Sequence, residues 1–458
     1  YYNLKLGEIY EIKGEQKKAD KHYQKIIDKL NSKTPTYVFS LLSNEFQNVN
    51  KLDFAIKAIE KGEENNTNNV YRFALTKALI YGKQNKTELM IDKYLSVLNT
   101  NSKQVNQIKN YLANSIDFEN DSKKVKILRT KLLRIAQKNP ENESFSDLLI
   151  WMYQLKGDYD LAFIQIKAKD KRMKVNGEKI YSFANQCFTQ KKYDLAIKAY
   201  EYLIQAETTT KFYRKKSKYF VLNALKQKIT QNHHYTKADL LNLNSKYTTT
   251  LSQIETPEDK IPLLQDLANL QGFYLHNIDT AEIILKTILT TPGLTKRQKA
   301  NNKTILGDIL MLKNKVWDAS LLYMQVEKEF KQDIVGSLAK FKNAKLYYYT
   351  GDFEWSQNQL DALKASTSKL ISNDAIELSL LITDNYNMDT TPIHMQRFAQ
   401  ADLYIFQNNF EKANLKLDSI NQEAPDHTLS DEILYRRYTI AYKKQDFETA
   451  KRFLERIM

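Results

Sequence analysis

Small and apolar residues recur along the chain with a spacing of four and then three positions, as at Ala19, Tyr23 and Ile26. This spacing places the three side chains on one stripe of a helix. The first members of the recurring pattern are Ala19, Ala55, Met90, Leu128, Ala162, Ala196, Ala281, Ala319, Ser356, Ala413 and Ala450. Each recurrence therefore predicts an amphipathic helix.

Most intervals between these first members are 34 to 38 residues, and two are longer, at 85 and 57. A short polar turn precedes each stripe, as in "KGDYDLA", "TGDFEWS" and "QDFETA", and another apolar helix such as "KTILGDILML" precedes the turn. Neither helix of such a unit can bury its stripe alone, but stacked units can. The period predicts an array of helix–turn–helix repeats.

Composition supports an all-α fold. The 458 residues are 42% hydrophobic and 27% charged, which is typical of a folded protein. Only 11 Gly and 7 Pro are present, too few for the frequent tight turns of an all-β fold.

Several repeats resemble the tetratricopeptide repeat family. The residues that carry the resemblance are Leu6, Gly7, Tyr10, Ala19 and Tyr23; Phe183, Ala184, Cys187, Ala196 and Tyr200; and Leu306, Gly307, Leu310, Ala319 and Tyr323. The resemblance implies a right-handed α-solenoid of about a dozen repeats, in which small residues let paired helices approach and aromatic residues fill the space between repeats. Met90, Leu128, Ser356 and Lys169 depart from the family pattern.

The two long intervals suggest the domain organisation. We expect an N-terminal array of about six repeats over residues 1–206, and an irregular or enlarged repeat, a candidate hinge, over 207–260. A C-terminal array of about five repeats, with an extra helix near 373–390, is expected over 261–458. The chain ends directly after a second helix without a polar capping helix, so we expect the array to extend further.

The net charge of +15 is concentrated in the first half of the chain. Residues 1–250 contain 44 Lys and Arg against 26 Asp and Glu. The densest runs include Lys171, Arg172, Arg214, Lys215, Lys216 and Lys218, which we single out as candidate partner-binding residues. Such a surface attracts acidic proteins, anionic lipid head groups or nucleic acid. The alternative is that these lysines and arginines form a solvated face without a binding role. In that case the buried face of the same helix includes Phe212, Tyr213, Tyr219 and Phe220.

No catalytic motif, cofactor site or metal site stands out, so we predict a non-enzymatic protein. His233 and His234 are adjacent in a polar stretch without further ligands at a suitable spacing. The single cysteine, Cys187, lies on an apolar helical face and is predicted to be buried. No run of apolar residues is long enough for a transmembrane helix.

The stretch "LYYYTGDFEW" contains the densest aromatic cluster. The repeat pattern predicts that Tyr347 and Phe353 are core residues and that Gly351 lies in the turn. Tyr348, Tyr349 and Trp355 are candidate partner-binding residues, and packing against the neighbouring repeat is the alternative.

Residues 300–390 also resemble long, exported tetratricopeptide proteins of Bacteroidota. That resemblance implies a scaffold for protein–protein interactions. It further implies an accessory subunit of an assembly or secretion complex in the periplasm or at the outer membrane. Peripheral association with the membrane is compatible with this role. A peptide or helix bound in the concave groove is the general mode of interaction. The alternative is a soluble, cytoplasmic adaptor that binds nucleic acid or an acidic partner through its basic half, and of these two partners nucleic acid is disfavoured.

Overall fold

The computed structural model describes residues 2–65, 70–173, 176–231, 235–364, 368–386 and 392–458. These residues form 25 α-helices and no β-strand. The first twelve helices are α1 (Tyr2–Ile12), α2 (Gln16–Asp28), α3 (Thr36–Asn48), α4 (Leu52–Asn65), α5 (Val70–Lys83), α6 (Thr87–Thr100), α7 (Val105–Ser115), α8 (Ser122–Lys138), α9 (Glu143–Leu155), α10 (Tyr159–Met173), α11 (Glu178–Thr189) and α12 (Tyr193–Gln205).

The remaining helices are α13 (Lys211–Thr230), α14 (Lys237–Ser252), α15 (Pro257–Asn269), α16 (Ile278–Thr290), α17 (Lys296–Leu312), α18 (Val316–Glu329), α19 (Ile334–Thr350), α20 (Phe353–Lys364), α21 (Lys369–Tyr386), α22 (Ile393–Phe406), α23 (Phe410–Glu423), α24 (Ser430–Lys443) and α25 (Phe447–Ile457). In chain order they form twelve helix–turn–helix units, with α21 as an additional helix before α22. The predicted all-α array of about a dozen repeats is confirmed.

The chain divides into two compact units. Unit 1 contains residues 1–185 and 206–210, and unit 2 contains residues 186–205 and 211–458. The division therefore falls within α11, whereas the sequence pattern placed it near residue 206. The helices α13 and α14 of unit 2, with 20 and 16 residues, occupy most of the predicted irregular segment.

The predicted stripes form the core. Their first members have at most 3% of their surface exposed, and most second and third members are equally buried. Ile27 replaces Ile26 as the buried residue of α2, and Leu454 near the end of α25 is 38% exposed. Cys187 is buried, as predicted. Lys169, which breaks the apolar pattern, is 2% exposed because its ammonium group pairs with the carboxylates of Glu143 and Asp147 at 2.8 and 2.6 Å.

Close helix approach within a unit depends on glycine. A Cβ atom at Gly7 would lie 2.2 Å from the ring of Tyr23, and one at Gly307 would lie 2.5 Å from the ring of Tyr323. The Tyr23 ring also contacts Phe46, with 5.6 Å between ring centroids, and so links its unit to the next. Small residues and aromatic rings therefore have the roles that the family resemblance implies.

The turn inside most units has one residue with a positive φ angle. These residues are Gly14, Asn50, Asn85, Gly157, Lys191, His276, Asn314, Gly351, Asn408 and Gln445. In nine of the ten turns the next N–H group donates to a carbonyl five residues earlier, as from Lys315 to Leu310 at 2.9 Å. This is the helix-ending arrangement that satisfies otherwise free carbonyl groups. Only three of the ten are glycine, so a search for glycine alone finds fewer than half of these turns.

Ion pairs connect successive repeats at a separation of about one repeat. Lys313 pairs with Asp279 at 2.7 Å, Lys342 with Asp308 at 2.8 Å, and Arg436 with Asp402 at 2.5 Å. Each pair spans 34 residues. The same register that buries the stripes thus places opposite charges side by side on neighbouring units.

Unit 2 curls enough to bring distant repeats into contact. The side-chain amide of Gln407 donates to the carbonyl of Met311 at 2.9 Å, and that of Gln445 donates to the carbonyl of Tyr235 at 3.3 Å. A π-helical turn at Leu270–Tyr274, directly after α15, carries Phe273, whose ring packs against Phe406 with 6.0 Å between centroids. These contacts join repeats of unit 2 that are far apart in the sequence.

Candidate functional site

A pocket with a volume of about 830 Å³ lies in unit 2. We call it the concave pocket. Its lining comes from α19, α21, α22 and α24, and from Ile457 near the end of α25. The helices α19, α22 and α24 are first helices of successive units, and α21 adds a wall that a regular repeat array lacks. Pockets of this volume are typical of ligand and peptide sites.

An Asp402–Arg436 pair forms the floor of the pocket. The Arg436 guanidinium donates from Nε to Asp402 Oδ1 at 2.5 Å and from Nη2 to Oδ2 at 3.1 Å. The hydroxyl of Tyr348 donates to the same Oδ2 at 2.9 Å. Burial would lower the pKa of Arg436, but the Asp402 carboxylate raises it overall. Burial and the Asp402 charge raise the pKa of Tyr348 well above its usual value, so both groups keep their protons at neutral pH.

Two lysines, Lys345 and Lys443, lie beside the Asp402–Arg436 pair. Among the described residues, neither ammonium group has a carboxylate within ion-pair distance. Lys345 lies 5.7 Å from the centroid of the Tyr349 ring, and Lys443 donates to the carbonyl of Ile405 at 3.2 Å. The Tyr349 hydroxyl and the Asp402 carboxylate raise the pKa of Lys345. Burial and repulsion by Lys345 lower the pKa of Lys443. Both side chains line the pocket.

The walls carry carboxylates and exposed apolar side chains. Asp374, Glu377 and Asp384 come from α21, and Asp431 and Glu432 come from the first turn of α24. Leu380 is 52% exposed and Tyr435 is 47% exposed, although both belong to apolar or aromatic types that are usually buried. The pocket therefore presents charge and apolar surface that the folding of unit 2 does not use.

Comparisons with known proteins find a similar fold in solved structures. No family model and no curated protein matches the sequence. The yeast Tom70 structure shares 13% identity with this chain, covers 92% of it and 91% of Tom70, and has a TM-score of 0.33. A structure of Naa15/Naa10 bound to HypK-THB shares 10% identity, with 99% of this chain and 92% of that chain covered and a TM-score of 0.26. The human IFIT1 dimer with PPP-AAAA shares 12% identity over 86% of this chain and 91% of that chain, with a TM-score of 0.34.

The aromatic cluster of α19 and α20 separates into two groups. Tyr348 and Tyr349 line the concave pocket, yet they are only 1% and 6% exposed. Phe353 is buried, as predicted. Tyr347, predicted as core, is only partly buried, because its ring packs between Trp317 and Trp355, which are themselves exposed. The predicted phase of this helix was wrong by one position.

Trp355 lies in the second group, away from the pocket lining. Its ring contacts Tyr347, which in turn contacts Trp317, with centroid distances of 5.8 and 6.1 Å. Trp355 and Trp317 are 48% and 64% exposed. The structure therefore does not bring Trp355 together with Tyr348 and Tyr349, and the role of all three in partner binding stays a prediction.

The candidate basic residues lie in two different units. Lys171 and Arg172 are exposed at the end of α10 in unit 1, where Arg172 donates to the hydroxyl of Ser146 at 3.2 Å. Arg214, Lys215, Lys216 and Lys218 lie on α13 in unit 2. Lys215 pairs with Asp259, and Lys216 lies 4.5 Å above the ring of Phe212.

The interpretation of Phe212 as a core residue was wrong, because its ring is 57% exposed and packs under Lys216. Ser217, Val221, Leu222 and Ala224 form the buried face of α13 instead. Tyr213, Tyr219 and Phe220 are only partly buried.

Other candidate chemistry finds no assembled site in the part of the chain that the structure describes. No three His, Cys, Asp or Glu side chains there converge to hold a metal ion. His233 and His234 lie outside the described residues. No helix within the described ranges is long and apolar enough to cross a membrane.

Asp402, Arg436, Lys345 and Lys443 were not predicted from the sequence as site residues. A usable signal was present, since Asp402 and Arg436 are separated by one repeat, as are the other ion pairs that link first helices. The wall carboxylates of α21 carried no such signal, because α21 has no counterpart in the other repeats.

Proposed function

We propose that this protein is a non-enzymatic scaffold that binds a segment of a partner protein in the concave pocket of unit 2. The observation that carries this proposal is the pocket of about 830 Å³ with exposed apolar and aromatic surface on its walls, where Leu380 and Tyr435 are 52% and 47% exposed. A protein that only needed to fold would gain about 1 kcal/mol or more by burying each apolar side chain. Exposed apolar surface in a concave site is typical of protein interaction sites.

The proposal includes an accessory role in an assembly or secretion complex in the periplasm or at the outer membrane. This part rests on the sequence resemblance of residues 300–390 alone. Fractionation of native cells tests it: the protein should be released from the periplasm or sediment with outer membranes. Recovery in the cytoplasmic fraction would contradict it.

A second candidate function uses the basic half of the chain. The exposed ring of Phe212 has Lys216 above it. In nucleic acid the ring would stack on a base and the lysine would contact a phosphate, and in an acidic protein the lysine would contact a carboxylate. Binding of single-stranded RNA that falls steeply with salt and is lost in the Phe212→Ala, Lys216→Ala variant would support it. Binding that ignores both changes would contradict it.

Site-specific photo-crosslinking tests the main proposal. A benzoylphenylalanine at position 435 lies inside the concave pocket, and one at position 415, where Leu415 is 68% exposed on α23, is the control. We expect irradiation of native cells to join position 435, but not 415, to one segment of another protein, identified by mass spectrometry. Equal or absent crosslinking from both positions would overturn the proposal.

A further inference from the structure

The charges of the concave pocket point to a specific class of partner. We propose that it accepts an amphipathic helix whose polar side carries Lys or Arg. This inference rests on the proposed function of the same pocket and adds the chemistry of its ligand. It departs from the expectation drawn from the sequence, because a chain of net charge +15 would be expected to attract acidic partners.

Carboxylates outnumber cations in the pocket lining. The six carboxylates are Asp374, Glu377, Asp384, Asp402, Asp431 and Glu432, and the three cations are Lys345, Arg436 and Lys443. Arg436 neutralises Asp402. The other five carboxylates have no ion pair with any described residue, and only two lysines remain to oppose them. The walls are therefore acidic in a protein that is basic as a whole.

The acidic residues on α21 lie along one face of that helix. Asp374, Glu377, Leu381 and Asp384 are separated by three, four and three positions, which places them on one stripe, and all four line the pocket. Across the pocket, Asp431 and Glu432 occupy the first turn of α24, where the helix dipole favours negative charge. A basic segment between these two walls would meet carboxylates on both sides.

The apolar surface and the size of the pocket fit a helix. Leu380 and Tyr435 are each about half exposed, and Phe341 and Leu381 are partly buried beside them. A helix with side chains is about 10 to 12 Å wide, so a pocket of about 830 Å³ accommodates roughly two helical turns. Two turns supply one apolar stripe for these side chains and several basic residues for the walls.

The same charges exclude anionic partners from this pocket. Phosphate groups of nucleic acid or of lipid head groups would face five unpaired carboxylates against two lysines. Those partners are therefore restricted to the basic surfaces described above.

Two labelled peptides test the inference. Each has 14 residues and the same amphipathic leucine positions, and the polar positions carry lysine in one and glutamate in the other. Fluorescence anisotropy at physiological salt should show that the lysine peptide binds the full chain at least tenfold more tightly than the glutamate peptide. Non-specific attraction to a protein of charge +15 would give the opposite order.

Two variants with the same change of net charge locate the site. Asp374→Lys with Glu377→Lys should lose at least tenfold in affinity for the lysine peptide. Glu329→Lys with Glu354→Lys, at exposed positions outside the pocket lining, should lose less than threefold. The milder Asp374→Asn, Glu377→Gln variant should show an intermediate loss, and circular dichroism should show that all three variants are folded.

Tighter binding of the glutamate peptide, or equal losses in the two lysine variants, would overturn the inference about charge. A different result, the absence of any partner segment crosslinked to position 435, would refute the proposed function itself. A captured segment without basic residues would leave the proposed function intact and refute the charge inference alone.

Discussion

At the scale of single residues, Asp402 connects three helices. It accepts hydrogen bonds from Tyr348 of α19 and from Arg436 of α24, and it lies on α22. Asp418 provides a close comparison, since it pairs with Arg437, the residue that follows Arg436 in the sequence. The Asp418 side chain is 47% exposed, whereas that of Asp402 is 11% exposed. The two carboxylates thus differ mainly in burial.

We expect Asp402→Ala to lower the free energy of unfolding by about 3 kcal/mol, because the Arg436 charge would be left without a partner. Asp418→Ala should cost less than about 1 kcal/mol, as exposed ion pairs usually do. Urea denaturation of the full chain measures both. Similar costs for the two substitutions would show that the Asp402 cluster is not a buried structural centre.

Glu282 on α16 makes part of the stability dependent on pH. Its carboxylate accepts hydrogen bonds from Lys286 and Lys313, both at 2.6 Å, and these lower its pKa from 4.5 to about 2. The unfolded chain binds this proton more tightly than the folded chain, so the contribution is complete above about pH 4.5 and is lost as the pH falls to about 2.

Glu282→Gln should therefore reduce stability at pH 7 and have a diminishing effect as the pH approaches 2. Thermal unfolding across this range provides the measurement, with Glu329→Gln at an exposed position of α18 as the control. A stability difference that stays constant with pH would contradict the assigned ion pairs.

At the scale of helices, the sequence predicts most of the repeat architecture. The four-and-three pattern identifies the buried stripe of the second helices, because a packed helix must bury one face. The phase of α19 was missed, since α18, α20, α21 and α22 surround this helix and a single stripe no longer describes its buried surface. The turns at Lys191 and Asn314 were also hard to predict, because residues other than glycine adopt the left-handed conformation there.

Glycine positions in unit 1 test how closely helices approach. A Cβ atom at Gly62 of α4 would lie 2.8 Å from the Phe73 ring and 3.0 Å from Phe39 Cβ, whereas one at Gly82 of α5 would meet only the flexible side chain of Met90, at 3.2 Å. Gly62→Ala should destabilise by about 1 to 3 kcal/mol. Gly82→Ala should stay within about 1 kcal/mol of the wild type. Chemical denaturation compares them, and equal effects would refute the close approach.

At the scale of the whole molecule, the fold was more predictable than the candidate site. Repeats are encoded locally, so helices and turns follow from short windows of sequence. The concave pocket depends on side chains from α19 to α25 and on the additional helix α21, which no repeat pattern includes. Net charge was also misleading, because the excess of Lys and Arg lies in residues 1–250 while the pocket is acidic.

The most direct test of the central claim is the affinity of the partner segment captured from position 435, measured by calorimetry with the wild type and with a Leu380→Ser, Tyr435→Ala variant. Both substituted side chains are about half exposed in the pocket, so the thermal midpoint should hardly change. We expect a loss of affinity of about tenfold or more. Unchanged affinity in a folded variant would contradict it, because binding would then take place outside the concave pocket.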